Sequence, residues 1–334
     1  MIGRLFGDVS RRTRALLASL LVILLAAPLV ANDYLLTVLI IILYFAYTGQ
    51  AWNIMMGFAG QLSLGHALYV GLGAYAAAIL YVRFGVSPWL GLVLAVPGAM
   101  LAGACIGALA FRFRVAGVYF AILTIAFAEF ARIAFDHLGY TNANAGLFLP
   151  VKQYAHDNLW QLRGDPLMFY YVLLAATALI FVVCRVLLRS RVGYFWLAIR
   201  EDEEAARASG IDTFRYKLAA VMISAGFTSF GGVFYAFYYN NLFPDQVFGI
   251  GRSIEIILAP IVGGVGTLFG PVLGAFLLTG LAETLSAILA AIGVDVPGAR
   301  QVFYGICLLV VVVGLPDGVW PWLAARLKLT EKPK

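Results

Sequence analysis

Ten apolar runs, most of them long enough to cross a bilayer, fill this chain and leave short polar joints between them. Backbone N–H and C=O groups inside hydrocarbon have no water to bond, so a crossing segment must be a helix or a strand of a closed barrel. The runs lie at about 14–31, 34–55, 63–82, 88–111, 116–136, 167–188, 216–239, 252–266, 270–291 and 300–315. A helical crossing needs about 20 apolar residues. A barrel strand would appear as an alternating segment of roughly ten, and the runs do not alternate. The chain is therefore expected to be all-α, a polytopic transmembrane helical bundle of about ten spans with a weak two-half internal repeat. Its 334 residues are 63% hydrophobic and only 12% charged, too little charge to cover a soluble domain of this length.

The formal net charge of +6 comes from Lys and Arg in the joints. Membrane orientation accounts for those residues, so they do not point to nucleic acid. With the N-terminus in the cytoplasm, Arg4, Arg11, Arg12, Arg14, Arg112 and Arg114 lie inside, as do the cluster 185–217 and Arg326, Lys328, Lys332 and Lys334. Arg83, Lys152, Arg163 and Arg300 fall outside. Both termini are expected to be cytoplasmic. The segment "RRTRALLASLLVILLAAPLVAND" is similar to a signal peptide, but another apolar run follows it at once, so an uncleaved first span is expected. Cys105, Cys184 and Cys307 lie in or beside apolar runs and read as small interior residues, not as a disulfide or metal framework.

These runs divide the chain into an N-terminal span (1–33), a first transmembrane half (34–189) with an outer loop at 137–166, a polar inner loop (190–215), and a second half with its tail (216–334). The stretch "GFAGQLSLG" at 57–65 recurs loosely as "GGVGTLFG" at 263–270. Glycine-interrupted segments in both halves suit a solute path at a repeat interface. They equally suit close helix packing through small residues. In the first segment Gly60, Gln61, Ser63 and His66 are candidate path residues, with Gly264, Gly266 and Thr267 their counterparts. A half-helix starting near Ser63 would aim free N–H groups at an anion, while Ser63 as a helix cap and His66 as a packed interior group are the plainer readings. Tyr119 and Thr124 are further candidates for lining the interior.

Charged groups inside the runs are few. Glu129 and Arg132, three apart, are expected to pair on one helix face. Glu283 stands alone, and a charge at the centre of a span costs about 2.5–3.5 kcal/mol on insertion scales. It could face a pathway, pair with an arginine such as Arg132, or relay protons. The inner loop "SRVGYFWLAIREDEEAARASGIDTFRYK" suggests a short helix over about 198–209, ended by Gly210, with Glu203 and Arg207 paired on its exposed side. Its alanines and its four consecutive acids, 201–204, make a surface suited to docking another protein. No phosphate-binding loop, metal-spaced cluster or nucleophile–base pair is present in the sequence, and neither catalysis nor a cofactor is expected.

Four stretches, "GFAGQLSLGHALYVGLGAY", "FRVAGVYFAILTIAFAE", "AIREDEEAARASGI" and "IVGGVGTLFGPVLGA", together resemble the LivM-type permease subunits of bacterial branched-chain amino acid ABC importers. The resemblance runs from about Tyr34 to Gly318. It implies an inner-membrane subunit paired with a LivH-type permease, two ATP-binding subunits and a periplasmic substrate-binding protein. It also implies that Glu201, Glu203, Glu204, Ala205, Ala206 and Gly210 belong to the helix that docks into an ATP-binding subunit. The chain departs from the family at Thr141, Asn142 and Ala143, where a threonine and two glycines are common. Similar permeases carry urea or short amides, and a stand-alone ion-coupled transporter is the rival from another class.

Overall fold

The computed structural model describes residues 11–138, 146–150, 158–291 and 298–327. Arg4, Lys152, Lys328, Lys332 and Lys334, and the departure at Thr141, Asn142 and Ala143, lie outside them. Fourteen helices are named here in chain order. Those before the polar loop are α1 Arg11–Ala26, α2 Asp33–Asn53, α3 Ala67–Phe84, α4 Pro88–Arg112, α5 Val118–His137 and α6 Pro166–Arg189. Two short helices follow, α7 Arg191–Glu201 and α8 Glu203–Ala208. The second half holds α9 Thr213–Tyr239, α10 Pro244–Phe248, α11 Ile250–Gly263, α12 Gly270–Ala291, α13 Ala299–Gly314 and α14 Val319–Arg326. Among the described residues, eight segments are long and apolar enough to cross a membrane, and two shorter apolar helices, Ser19–Leu29 and Gln301–Val311, occupy the remaining two expected runs.

Local chemistry sets the boundaries. Asn32 caps α2 through Leu35 N–H at 2.8 Å, and Ser190 caps α7. Pro88 and Pro166 open α4 and α6 at positions where a missing N–H costs nothing. The buried centre is built by α9 packing along both α3 and α4, with α2 against α12 and α6. The α3–α9 crossing is closer than ordinary side chains allow. A Cβ on Gly73 would lie 2.1 Å from the Ser229 carbonyl oxygen, and one on Gly232 would lie 2.0 Å from that of Val70. These two glycines serve packing of the small-residue kind.

At the end of the bundle opposite α7 and α8, a two-residue antiparallel pair joins Leu147–Phe148 (β1) to Asn241–Leu242 (β2). Beside it Arg163, expected on the outer side of the membrane, is buried. Its guanidinium sits 5.1 Å from the ring centres of Tyr81 and Phe237 and donates to Asn240 Oδ1.

Candidate functional site

The first glycine segment leaves α2 through a widened turn, Ile54–Phe58, and runs extended before α3 begins at Ala67. A helix start near Ser63, with free N–H groups, is therefore corrected. Gly60 and Gln61 donate to Met56 and Met55 carbonyls, both at 3.0 Å. Leu64 and Gly65 donate to Thr124 Oγ1 at 3.1 and 3.2 Å, and Ala67 donates to Ser253 Oγ at 2.9 Å. These donors are occupied within the chain and offer no open anion cradle.

The side chains are engaged in the same way. Gln61 Nε2 donates to Ala59 O at 2.9 Å, and Ser63 is buried with its carbonyl accepting from Trp52 Nε1 at 2.8 Å. His66 is fully buried, with Nε2 3.1 Å from Ser224 Oγ. Ser224 directs its one hydroxyl proton to Ala51 O at 2.7 Å, so His66 Nε2 carries the proton and donates. Thr124 is buried on α5 and braces the segment, whereas Tyr119, expected to line the interior, is 77% exposed on the outside of that helix. Thr124→Val is expected to strand two N–H groups at a cost of about 1–3 kcal/mol. The measurement is the thermal unfolding midpoint of the purified chain, with Thr124→Ser retaining most of the native value.

The second glycine segment meets the first. Gly264 and Gly266 take φ of +122° and +79° as the backbone turns from α11 toward α12. Asn53, at the end of α2, bridges the two segments. Its Nδ2 donates to Thr267 O at 2.9 Å and its Oδ1 accepts from Gly266 N–H at 2.8 Å. Thr267 Oγ1 donates to Gly264 O and accepts from Gly270 N–H, closing the turn. Arg200, on α7, completes the junction, with Nη1 donating to Gly57 O at 2.5 Å. A Cβ on Gly266 would lie 2.1 Å from that same nitrogen. One arginine of the polar loop thus touches both interrupted segments.

The polar loop departs from the expected single helix over 198–209. Asp202 breaks it into α7 and α8 and caps α8, accepting from Glu204 and Ala205 N–H at 2.9 and 3.0 Å. Gly210 ends the loop helix with φ +85°, as expected. Glu203 pairs with Arg207 at 2.8 Å, but it also turns inward to Lys217, whose Nζ lies 2.8 and 2.9 Å from its two carboxylate oxygens. Burial pushes the Glu203 carboxyl up, while Lys217, Thr213 and Arg207 outweigh burial and hold it below the ordinary carboxylate range. Ala206 and Ile199 are buried in the body, so the surface left exposed includes Glu201, Glu204, Ala205 and Ala208 together with Asp202, Arg207, Ser209 and Gly210.

Glu129 and Arg132 pair as expected, with Arg132 Nε 2.9 Å from Glu129 Oε1. Arg132 also engages Asp245 of α10, so it is not the partner of Glu283. Glu283 instead lines a cavity of about 200 Å³ together with Tyr44, Tyr235, Arg252, Glu255 and Tyr304. Sequence reading missed Arg252 and Glu255. They sit at the start of an apolar run that the break at Gly249 makes look shorter than it is, because α10 and α11 together form one 20-residue candidate crossing. Their signal was available as two opposite charges three apart, the same pattern that marked Glu129 and Arg132.

Interrupted helices joined inside a multi-pass bundle, with a charged surface helix tied to the junction, are an arrangement suited to a membrane permease. The family model described as "Branched-chain amino acid transport system / permease component" matches residues 34–312, and the chain belongs to that family. It is 28% identical over 341 residues to the high-affinity branched-chain amino acid transport system permease protein LivM of Escherichia coli (strain K12), covering 95% of this chain and 77% of that protein. The LivM protein of Salmonella typhimurium is similar to the same extent. No solved structure matches the chain.

Proposed function

We propose that the chain is the permease subunit of an ABC importer for branched-chain amino acids. It lies in the bacterial inner membrane with both termini cytoplasmic and is driven by ATP hydrolysis in partner subunits. The reading is supported by its two LivM relatives and the family's description. The partners are a LivH-type permease, two ATP-binding subunits and a periplasmic substrate-binding protein.

The observation that carries the mechanism is Arg200. Glu201, Glu204 and Ala205 form the exposed docking face with Gly210 as its end, while the adjoining Arg200 reaches the backbone where the two glycine segments meet. Movement of α7 and α8 by an ATP-binding subunit would therefore be delivered to both interrupted segments at once. The chain need only exist in two packings whose populations its partners bias.

The second permease has a face to occupy. Glu129 and Asp245 are 49% and 73% exposed on the outside of this chain. Glu129 lies about 16 Å along α5 from its start, well within a hydrocarbon core of about 30 Å. Charges there do not face lipid without cost, so a partner subunit or an aqueous path covers this side.

Charge reversal at Glu201 and Glu204 together is expected to reduce co-purification of the ATP-binding subunits at least tenfold, with leucine uptake falling in step. Undiminished assembly and uptake would remove the docking assignment. These two side chains make no ion pair among the described residues, so the fold itself should tolerate the change.

A further inference from the structure

We propose that the cavity enclosed by α2, α9, α11, α12 and α13 is a mid-membrane binding site for a zwitterionic amino acid with an apolar side chain. The assignment rests on the importer reading above and adds a resting place for solute on this subunit.

Depth comes first. Tyr44 is about 16 Å along α2 from Asp33, and Glu283 about 20 Å along α12 from Gly270. Both are near the middle of a hydrocarbon core of about 30 Å. Three charged groups, Arg252, Glu255 and Glu283, line one cavity at that depth. Charges within the membrane that share a cavity are expected to serve a solute path.

The wall is polar yet incompletely satisfied. Arg252 Nη1 holds Glu255 at 2.9 Å and Nη2 holds Tyr235 Oη at 3.1 Å, which fixes the guanidinium. Among the described residues its Nε has no hydrogen-bond partner, and neither does Tyr44 Oη, on a residue only 6% exposed. Both are donors, and a buried donor left unmade is costly. Neither atom is open to a water-sized probe in this packing, so a carboxylate reaches them where the two side chains part, and there it would accept from both.

The opposite charge is also provided for. Glu283, on α12, is 7% exposed and lines the same space, with the rings of Tyr235, Tyr238 and Tyr239 beside it. A carboxylate and aromatic faces that line one space suit an ammonium group. Ile40, Ile41 and Phe45 supply an apolar wall. A simple cation would leave the Arg252 and Tyr44 donors unused, and a simple anion would meet two acids. A zwitterion uses all three parts. At about 30 Å³ per water the space holds some six waters, or one small solute of that bulk.

The test uses the whole transporter, this chain with its partner permease and ATP-binding subunits, in liposomes supplied with binding protein and ATP. Diazirine-bearing leucine is imported and then photolysed. The expected result is covalent labelling concentrated on residues 40–45 and 235–239. Ile41→Trp, which fills the space, is expected to cut leucine uptake at least tenfold, and Glu283→Gln to raise its half-saturation at least fivefold. If the tryptophan variant does not assemble, labelling of the native complex decides. Leucine import with label only elsewhere, or normal uptake in both variants, overturns the site while leaving the importer reading intact. A native complex that imports no amino acid removes the importer reading, and the site assignment falls with it.

Discussion

Valine in place of Gly266 should lower leucine uptake by the reconstituted transporter about a hundredfold or more. Two independent costs fall on that position. Its φ of +79° is a conformation that β-branched residues rarely adopt, worth about 1–3 kcal/mol. Its Cβ would also stand 2.1 Å from Arg200 Nη1 and 2.7 Å from Gly57 O, so the arginine must leave the junction. A penalty of about 3 kcal/mol already moves a two-state population about a hundredfold, since each 1.4 kcal/mol is tenfold. Gly85→Ala is the control. Its φ is +66°, but nothing lies within 4 Å of the new Cβ, so only the backbone cost of about 1–2 kcal/mol applies. Equal losses of uptake in the two variants would show that the meeting of the glycine segments has no part in transport.

Removing the ammonium of Lys217 should do comparable damage by a different route. Lys217→Met keeps the bulk of a side chain that is 6% exposed but leaves Glu203, itself 27% exposed, with Arg207 alone and without the cation that reaches both of its carboxylate oxygens. Hydrogen bonds to charged groups contribute about 1.5–3 kcal/mol, so α8 should detach from the base of α9. The expected readouts are new protease cleavage in the 202–212 loop and ATP hydrolysis that continues without uptake. The native pair carries its own pH signature. Because the Glu203 carboxyl is held below its ordinary value in the folded state, its stabilisation is complete above the ordinary carboxylate range. It is lost as pH falls through the lowered value. Protease protection of the loop should decline with acid in the native chain and start low in the methionine variant. Full protection of the variant at neutral pH would refute the role given to Lys217.

Most spans were legible to within a few residues because hydrocarbon demands uninterrupted apolar length, and that demand is local; the crossing Pro244–Gly263, broken at Gly249, was not. The run expected at 88–111 is the helix Pro88–Arg112, and that at 167–188 is Pro166–Arg189. The glycine segments were legible as anomalies but not as a pair in contact. Asn53 joins them across more than two hundred positions, and no local pattern announces such a bond. Direction was equally hidden. Thr124 turns inward and Tyr119 outward on one helix, and which face is covered depends on neighbours far along the chain. The break at Asp202 could have been read, since an aspartate followed by two glutamates is a helix-start pattern. The acids were instead counted as surface charge.

The helix α9 runs unbroken for 27 residues, about 40 Å at 1.5 Å per residue. Lys217 anchors its first turns to α8, and β2 follows directly beyond its last. A rod of this kind cannot lean at one end and stand still at the other. Reciprocity then binds the two faces: a partner that tightens its hold fivefold when the rod leans must itself be held fivefold tighter by whatever made it lean. Events at the two ends of the bundle would thus be added on one beam.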